Sequence, residues 1–143
     1  MSFREKSAWI SFVVVLVTFG AYFVSISGDL SIAANISHHA AALVGLMAVI
    51  IAVTVVEIAA HIMVALSSPA EAQAARDERE RAIALKATRP AFYVPMTGVW
   101  LALGAVALGG GVWLLVQATL FAVWVAELTR FRTEIFYYRR GLA

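Results

Sequence analysis

Glu57 and His61 stand four residues apart in the run VTVVEIAAHIMVAL at 53–66, where only Thr54 adds another polar side chain. That spacing puts both on one face of a helix. Together a carboxylate and an imidazole can hydrogen-bond each other, pass a proton, or offer an oxygen and a nitrogen to a cation. A second set, Glu127, Arg130 and Glu134, recurs at i, i+3 and i+7, again on one helical face. An acid left in lipid near the centre of a span costs at least ~2.5 kcal/mol, so these groups must face protein, a water-filled cavity or each other.

Three chemistries fit this polar network of Glu57, His61, Glu127, Arg130 and Glu134. In the first, Arg130 neutralises one or both acids and His61 hydrogen-bonds Glu57, which locks helices together. In the second, Glu57, His61 and Glu127 hold a divalent metal ion, since helix bundles build metal sites from such side chains. Against it, Arg130 opposes a cation and no HExxH or ExxH pattern occurs. In the third, Glu57 and His61 relay protons or gate a small solute, which with so few helices requires an oligomer. The lock is the preferred reading, and the other two stay open.

Elsewhere the chemistry is thinner. His38 and His39 are adjacent, with Asp29 in the same loop, but neighbouring side chains on a helix diverge by ~100° and do not converge on one ion. They read as a polar helix start. There is no glycine-rich phosphate loop, no G-x-S-x-G, and no Ser/His/Asp set expected at one depth, so the chain does not read as an enzyme. An intramembrane hydrolase with Glu57 as base and His61 as partner is the least supported alternative. With no cysteine, disulfides and thiolate metal sites are excluded.

The elements that must position these residues are membrane helices. Of 143 residues 62% are hydrophobic and 14% charged, and the mean hydropathy is +0.86, too apolar for a soluble domain. A span needs roughly 20 apolar residues. The expected fold is an all-α membrane protein with four transmembrane helices at about 8–26, 40–66, 92–108 and 112–131, forming one domain over 1–143. Gly109-Gly110-Gly111 makes the third and fourth spans a tight hairpin. Arg4 and Lys6 before an apolar stretch, with Ser25-Ile26-Ser27 after it, imitate a signal peptide. The uncharged stretch is long enough to span, and a spanning helix is expected.

All 11 Lys and Arg residues fall on one side of this topology: near the N-terminus, between spans two and three, and near the C-terminus. By the positive-inside rule both termini and the middle loop are cytoplasmic. Spans two and four then run in the same direction. Glu57 lies ~25 Å along its span from Ala40, and Glu127 ~22 Å from Val112, at 1.5 Å per residue, which puts both at similar depth. The basic residues are interleaved with acids beside lipid, so they anchor the chain to membrane lipids, and no direct nucleic-acid binding is expected.

The middle loop carries a helix start, with Ser68 as N-cap, Pro69 at N1 and Glu71 at N3. Pro90 restricts the residue before it, so a short cytoplasmic helix is expected over about 69–87. Its charged run Arg76, Asp77, Glu78, Arg79 and Arg81 is either a solvated face or a docking surface for a cytoplasmic partner. In span one, Ser11, Thr18, Tyr22 and Ser25 form a hydroxyl stripe suited to packing. In span three, Thr97, Gly98 and Gly104 permit close backbone approach, and Pro95 is expected to kink the helix. Trp9 and Trp113 lie near helix ends, and Trp124 is deep enough to pack.

The segments SFREKSAWI at 2–10, RDERERAI at 76–83 and IFYYRRG at 135–141 resemble those of a family of small, uncharacterised prokaryotic four-helix inner-membrane proteins. The resemblance implies a four-span inner-membrane topology and supplies no activity or site residue. It also suggests a cytoplasmic regulator protein as partner, by analogy with members that are sometimes encoded beside small helix-turn-helix regulators. The expectation is thus a homo-oligomeric sensor, regulator or accessory subunit, with a small ion- or proton-coupled transporter or a divalent-metal-binding protein as the alternative.

Overall fold

The structure is a computed structural model that describes residues 3–27, 36–67, 69 and 77–141. Its helices are α1 (Phe3–Ile26), α2 (Ile36–Ser67), α3 (Glu78–Ala107) and α4 (Val112–Arg140). Each is long and apolar enough to cross a membrane, the architecture of a multi-pass membrane protein. Helix α3 packs along α4, α4 along α1, and α1 along α2, so the order across the bundle is α2, α1, α4, α3.

The α3–α4 hairpin turns at the three glycines. Gly110 N–H donates to Ala105 O at 2.9 Å and Gly109 N–H to Val106 O at 3.0 Å, the paired bonds that close a helix end in a Schellman motif. Gly109 has φ +103°, and a Cβ on Gly110 would sit 2.8 Å from Ala105 O. Both positions therefore require glycine. Helix α4 starts at Val112, where the fourth span was expected, and continues past residue 131 to Arg140.

Of the short helix expected over 69–87, residues 78–87 belong instead to the long helix α3, and residues 70–76 lie outside the described ones. Asp77 caps α3, its carboxylate accepting from Glu78 N–H at 2.7 Å. From there one helix of 30 residues runs through both Pro90 and Pro95. The cap formed by Ser68 and Glu71 lies outside the described residues, as does Arg76. Each proline removes one backbone bond and crowds the carbonyl four residues back. Packing outweighs that cost. Ile83, Ala87, Ala91 and Ala102 are buried on one stripe of α3, and in lipid only an unbroken helix satisfies its own backbone.

Small residues bring α3 and α4 together. A Cβ built on Gly98 collides with the methyl of Ala122, the close approach that small-residue faces allow between membrane helices. The α1–α4 seam uses larger groups. Trp124 Nε1–H donates to Val15 O at 3.0 Å, and Phe23 meets Phe121 edge-on and Trp124 at a tilt, with centroids 5.2 and 5.3 Å apart. Of the hydroxyl stripe on α1, Tyr22 reaches across to buried Gln117, donating to Oε1 at 3.2 Å and accepting from Nε2 at 3.0 Å. Thr18 and Ser25 instead bond carbonyls of their own helix, Val14 O and Tyr22 O.

Gly98→Leu should destabilise the protein by about 1–3 kcal/mol through overpacking, whereas Gly104→Ala, with nothing within 4 Å of its Cβ, should be neutral or slightly stabilising. Denaturation in detergent compares the two directly. Ala122→Gly should recover part of the Gly98→Leu loss.

Candidate functional site: a polar cavity at the basic end

Helices α1 and α2 are antiparallel, so the first turns of α1 lie beside the last turns of α2. Ser7 and Ser11 are one turn apart on α1, as Glu57 and His61 are on α2, and the two pairs face each other. Ser11 Oγ donates to Glu57 Oε2 at 2.8 Å, and His61 Nε2 lies 3.0 Å from the same oxygen. Ser7 Oγ stands 3.0 Å from His61 Nδ1, and Ser11 Oγ 3.3 Å from His61 Nε2. The other carboxylate oxygen, Glu57 Oε1, is buried without a hydrogen-bond partner.

An ionised carboxylate only accepts, so the Nε2 hydrogen of His61 points at Glu57. In the neutral ring Nδ1 then accepts from the Ser7 hydroxyl; in the imidazolium it donates to the same oxygen. A hydroxyl rotates to suit either state, so the contact survives a change of charge on His61.

These residues line a cavity of about 290 Å³ to which all four helices contribute. Arg4 and Glu80 form its far side with Arg130, Glu134 and Tyr138. Arg4 Nε donates to Glu80 Oε2 at 2.7 Å and ties α1 to α3. Arg139 approaches Glu5 at 3.5 Å and lies over the Trp9 ring at 5.4 Å, tying α4 to α1. Three carboxylates and two guanidinium groups thus meet around one imidazole. A larger hollow of about 830 Å³ between α1, α3 and α4 is walled by apolar groups such as Phe23, Leu101 and Phe121 and carries little chemistry.

Of the residues expected in one polar layer, Glu57, His61, Arg130 and Glu134 do meet at this cavity. Glu127 does not line it: its carboxylate, about half exposed, accepts from Arg130 Nε at 3.0 Å and Nη2 at 2.7 Å within α4. The set Glu57, His61, Glu127 is therefore not gathered on one point, and no metal-binding group of three His, Asp or Glu side chains occurs among the described residues. The bonds that join α2 to α1 run through the serines of α1, because both ion pairs of the expected lock, Glu57 with His61 and Glu127 with Arg130, lie within single helices.

No Ser/His/Asp set was expected at one depth; the structure brings Ser7 and His61 together with a glutamate, Glu57. Ser7, Arg4, Glu80 and Tyr138 were missed, and Ser11 was assigned to packing alone. A signal was available. Ser7 and Ser11 repeat the one-turn spacing of Glu57 and His61, and antiparallel neighbouring spans put the two pairs at the same end. In the charged run, Asp77, Glu78, Arg79 and Arg81 are exposed at the start of α3. His38 and His39 fall in the first turn of α2, and their side chains lie outside the described residues, as does Asp29.

Comparison with family models, with curated proteins and with solved structures gives no match for this chain. The site therefore stands on its own geometry.

Ser11 is 3% exposed and supplies one of the donors to a carboxylate whose other oxygen has none. Ser11→Ala should cost about 1–3 kcal/mol, the range for leaving a buried polar group short of a partner. Loss of stability in detergent denaturation, absent in Ser25→Ala at the other end of α1, checks this.

Proposed function

We propose that the protein is a small inner-membrane sensor or regulator whose polar cavity couples α2 to the charged start of α3. One observation carries this reading: α2 packs chiefly on α1, and its two ionisable side chains enter a cavity that also holds the Arg4–Glu80 link to α3. Loss of charge at Glu57, or occupancy of the cavity, weakens the bond from Ser11. Helix α1 then shifts against α2, and Arg4 carries the shift to Glu80, next to exposed Asp77, Glu78, Arg79 and Arg81. That exposed run is the docking surface for a cytoplasmic regulator protein.

The orientation belongs to the same proposal. Arg4, Arg130 and Arg139 converge on one end of the bundle, in keeping with the one-sided distribution of all 11 basic residues, and the positive-inside rule makes that end cytoplasmic, with both termini there. Self-association into a homo-oligomer is part of the same proposal, supported by the open small residues Gly45 on α2 and Gly104 on α3, where a neighbouring helix can approach closely.

Because the chain has no cysteine, paired spin labels at Ile62→Cys on α2 and Leu85→Cys on α3 report the coupling cleanly. The distance distribution should shift or broaden in Glu57→Gln and in Arg4→Ala. Identical distributions in all three backgrounds would sink the coupling.

A second reading, a path for protons or small cations, is favoured by Glu57 Oε1, buried without a partner in a site with one more carboxylate than guanidinium. It requires ion flux in proteoliposomes that Glu57→Gln abolishes, and wild-type vesicles with no flux would rule it out.

A further inference from the structure

The hydrogen bonds around His61 have an order that the coupling role does not require. One ring nitrogen meets a serine hydroxyl at 3.0 Å and the other a carboxylate at 3.0 Å, the sequence nucleophile, base and orienting acid that activates a hydroxyl for acyl transfer. We propose that Ser7 is a nucleophile toward acyl esters, with His61 as its general base and Glu57 as the residue that holds the ring.

Glu57 accepts the Nε2 hydrogen and so presents the Nδ1 lone pair to Ser7. This is the same division of roles as in serine hydrolases, with the two ring nitrogens exchanged. A lone serine on a helix carries no such implication. Here the hydroxyl is bonded to a base, the base to an acid, and the hydroxyl borders a cavity.

As Ser7 Oγ bonds to the carbonyl carbon of an ester, its proton passes to His61 Nδ1 and the carbonyl oxygen becomes an oxyanion. Arg4 and Arg130 line the same cavity, and the guanidinium N–H groups that Glu80 and Glu127 do not engage supply positive charge toward that oxygen. The tetrahedral carbon then expels the alcohol, which leaves with the proton from His61, and Ser7 is acylated. Water attacks the acyl carbon, gives a proton to His61, and Ser7 leaves with that proton, so the enzyme returns unchanged and acid plus alcohol are released.

Two features define the substrate class. The cavity of about 290 Å³ lies at the small end of ligand sites, which run from ~300 to 1,000 Å³, so it admits a short acyl group. Its walls are charged toward the end that carries the termini, while apolar faces flank it, a setting for an amphipathic ester rather than a free hydrophobe.

The chemistry is independent of the coupling between α2 and α3, and the two fail separately. The test exposes the purified full-length protein in lipid nanodiscs to a fluorophosphonate probe, in which Ser7 Oγ bonds to phosphorus and fluoride departs. The expected result is an adduct on the Ser7 peptide, absent in Ser7→Ala and unchanged in Ser25→Ala. Labelling should slow by about 10²-fold or more in His61→Ala, the scale of general-base catalysis.

Added imidazole should restore part of the His61→Ala rate, which a purely structural histidine would not allow. With p-nitrophenyl butyrate a burst of p-nitrophenolate stoichiometric with the chain should precede turnover. No adduct on wild type, an adduct on a different serine, or a rate unaffected by His61→Ala would each overturn the proposal.

Discussion

Glu57 is a carboxylate in the apolar interior of a helix whose neighbours are valine, isoleucine and alanine, and its need for donors organises one end of this bundle. Lipid offers it nothing, and protein groups supply its donors. His61 on the same helix supplies one and Ser11 on α1 supplies another. That requirement fixes which faces of α1 and α2 meet. It also places Ser7 against His61, since both pairs repeat at one turn. The remaining bonds at this end, Arg4 to Glu80 and Arg139 to Glu5, then draw α3 and α4 to the same cavity.

The bundle is held differently along its length. At the polar end the helices are joined by hydrogen bonds and ion pairs between side chains. Midway, α3 and α4 approach through Gly98 and Ala122, where dispersion between close backbones is the main attraction available in lipid. Toward the glycine turn, rings and the buried Tyr22–Gln117 pair fill the α1–α4 seam. Helix α2 shares least in this packing, and most of its apolar side chains are exposed and suited to lipid. Among the described residues, Glu57 and His61 carry its side-chain hydrogen bonds to α1.

Much of the fold was legible before the structure. The presence of four spanning helices follows from hydropathy, and the start of α4 follows from the glycine turn. Two rules misled. Pro90 restricts its predecessor locally, but a stripe of Ile83, Ala87, Ala91, Gly98 and Ala102 favours one continuous helix, and packing plus the lipid environment outweigh the local preference. The spacing of Glu127, Arg130 and Glu134 correctly gives one face, yet Arg130 reaches Glu127 within its own helix and leaves that carboxylate outside the cavity. Periodicity gives the face of a residue and not the rotation of that face about the bundle.

By itself, the amino-acid sequence determined that the chain forms membrane helices, that its basic residues gather in three stretches flanking the apolar runs, and that Glu57 and His61 lie on one helical face. These are properties of single segments, set by side-chain transfer energies and the 3.6-residue turn. Only the tertiary structure decided that Ser7 faces His61, that Ser11 completes Glu57, and that Arg4 reaches Glu80. Those partners are separated by 46 to 76 positions along the chain, and their meeting depends on how helices rotate and neighbour one another, which no local pattern encodes.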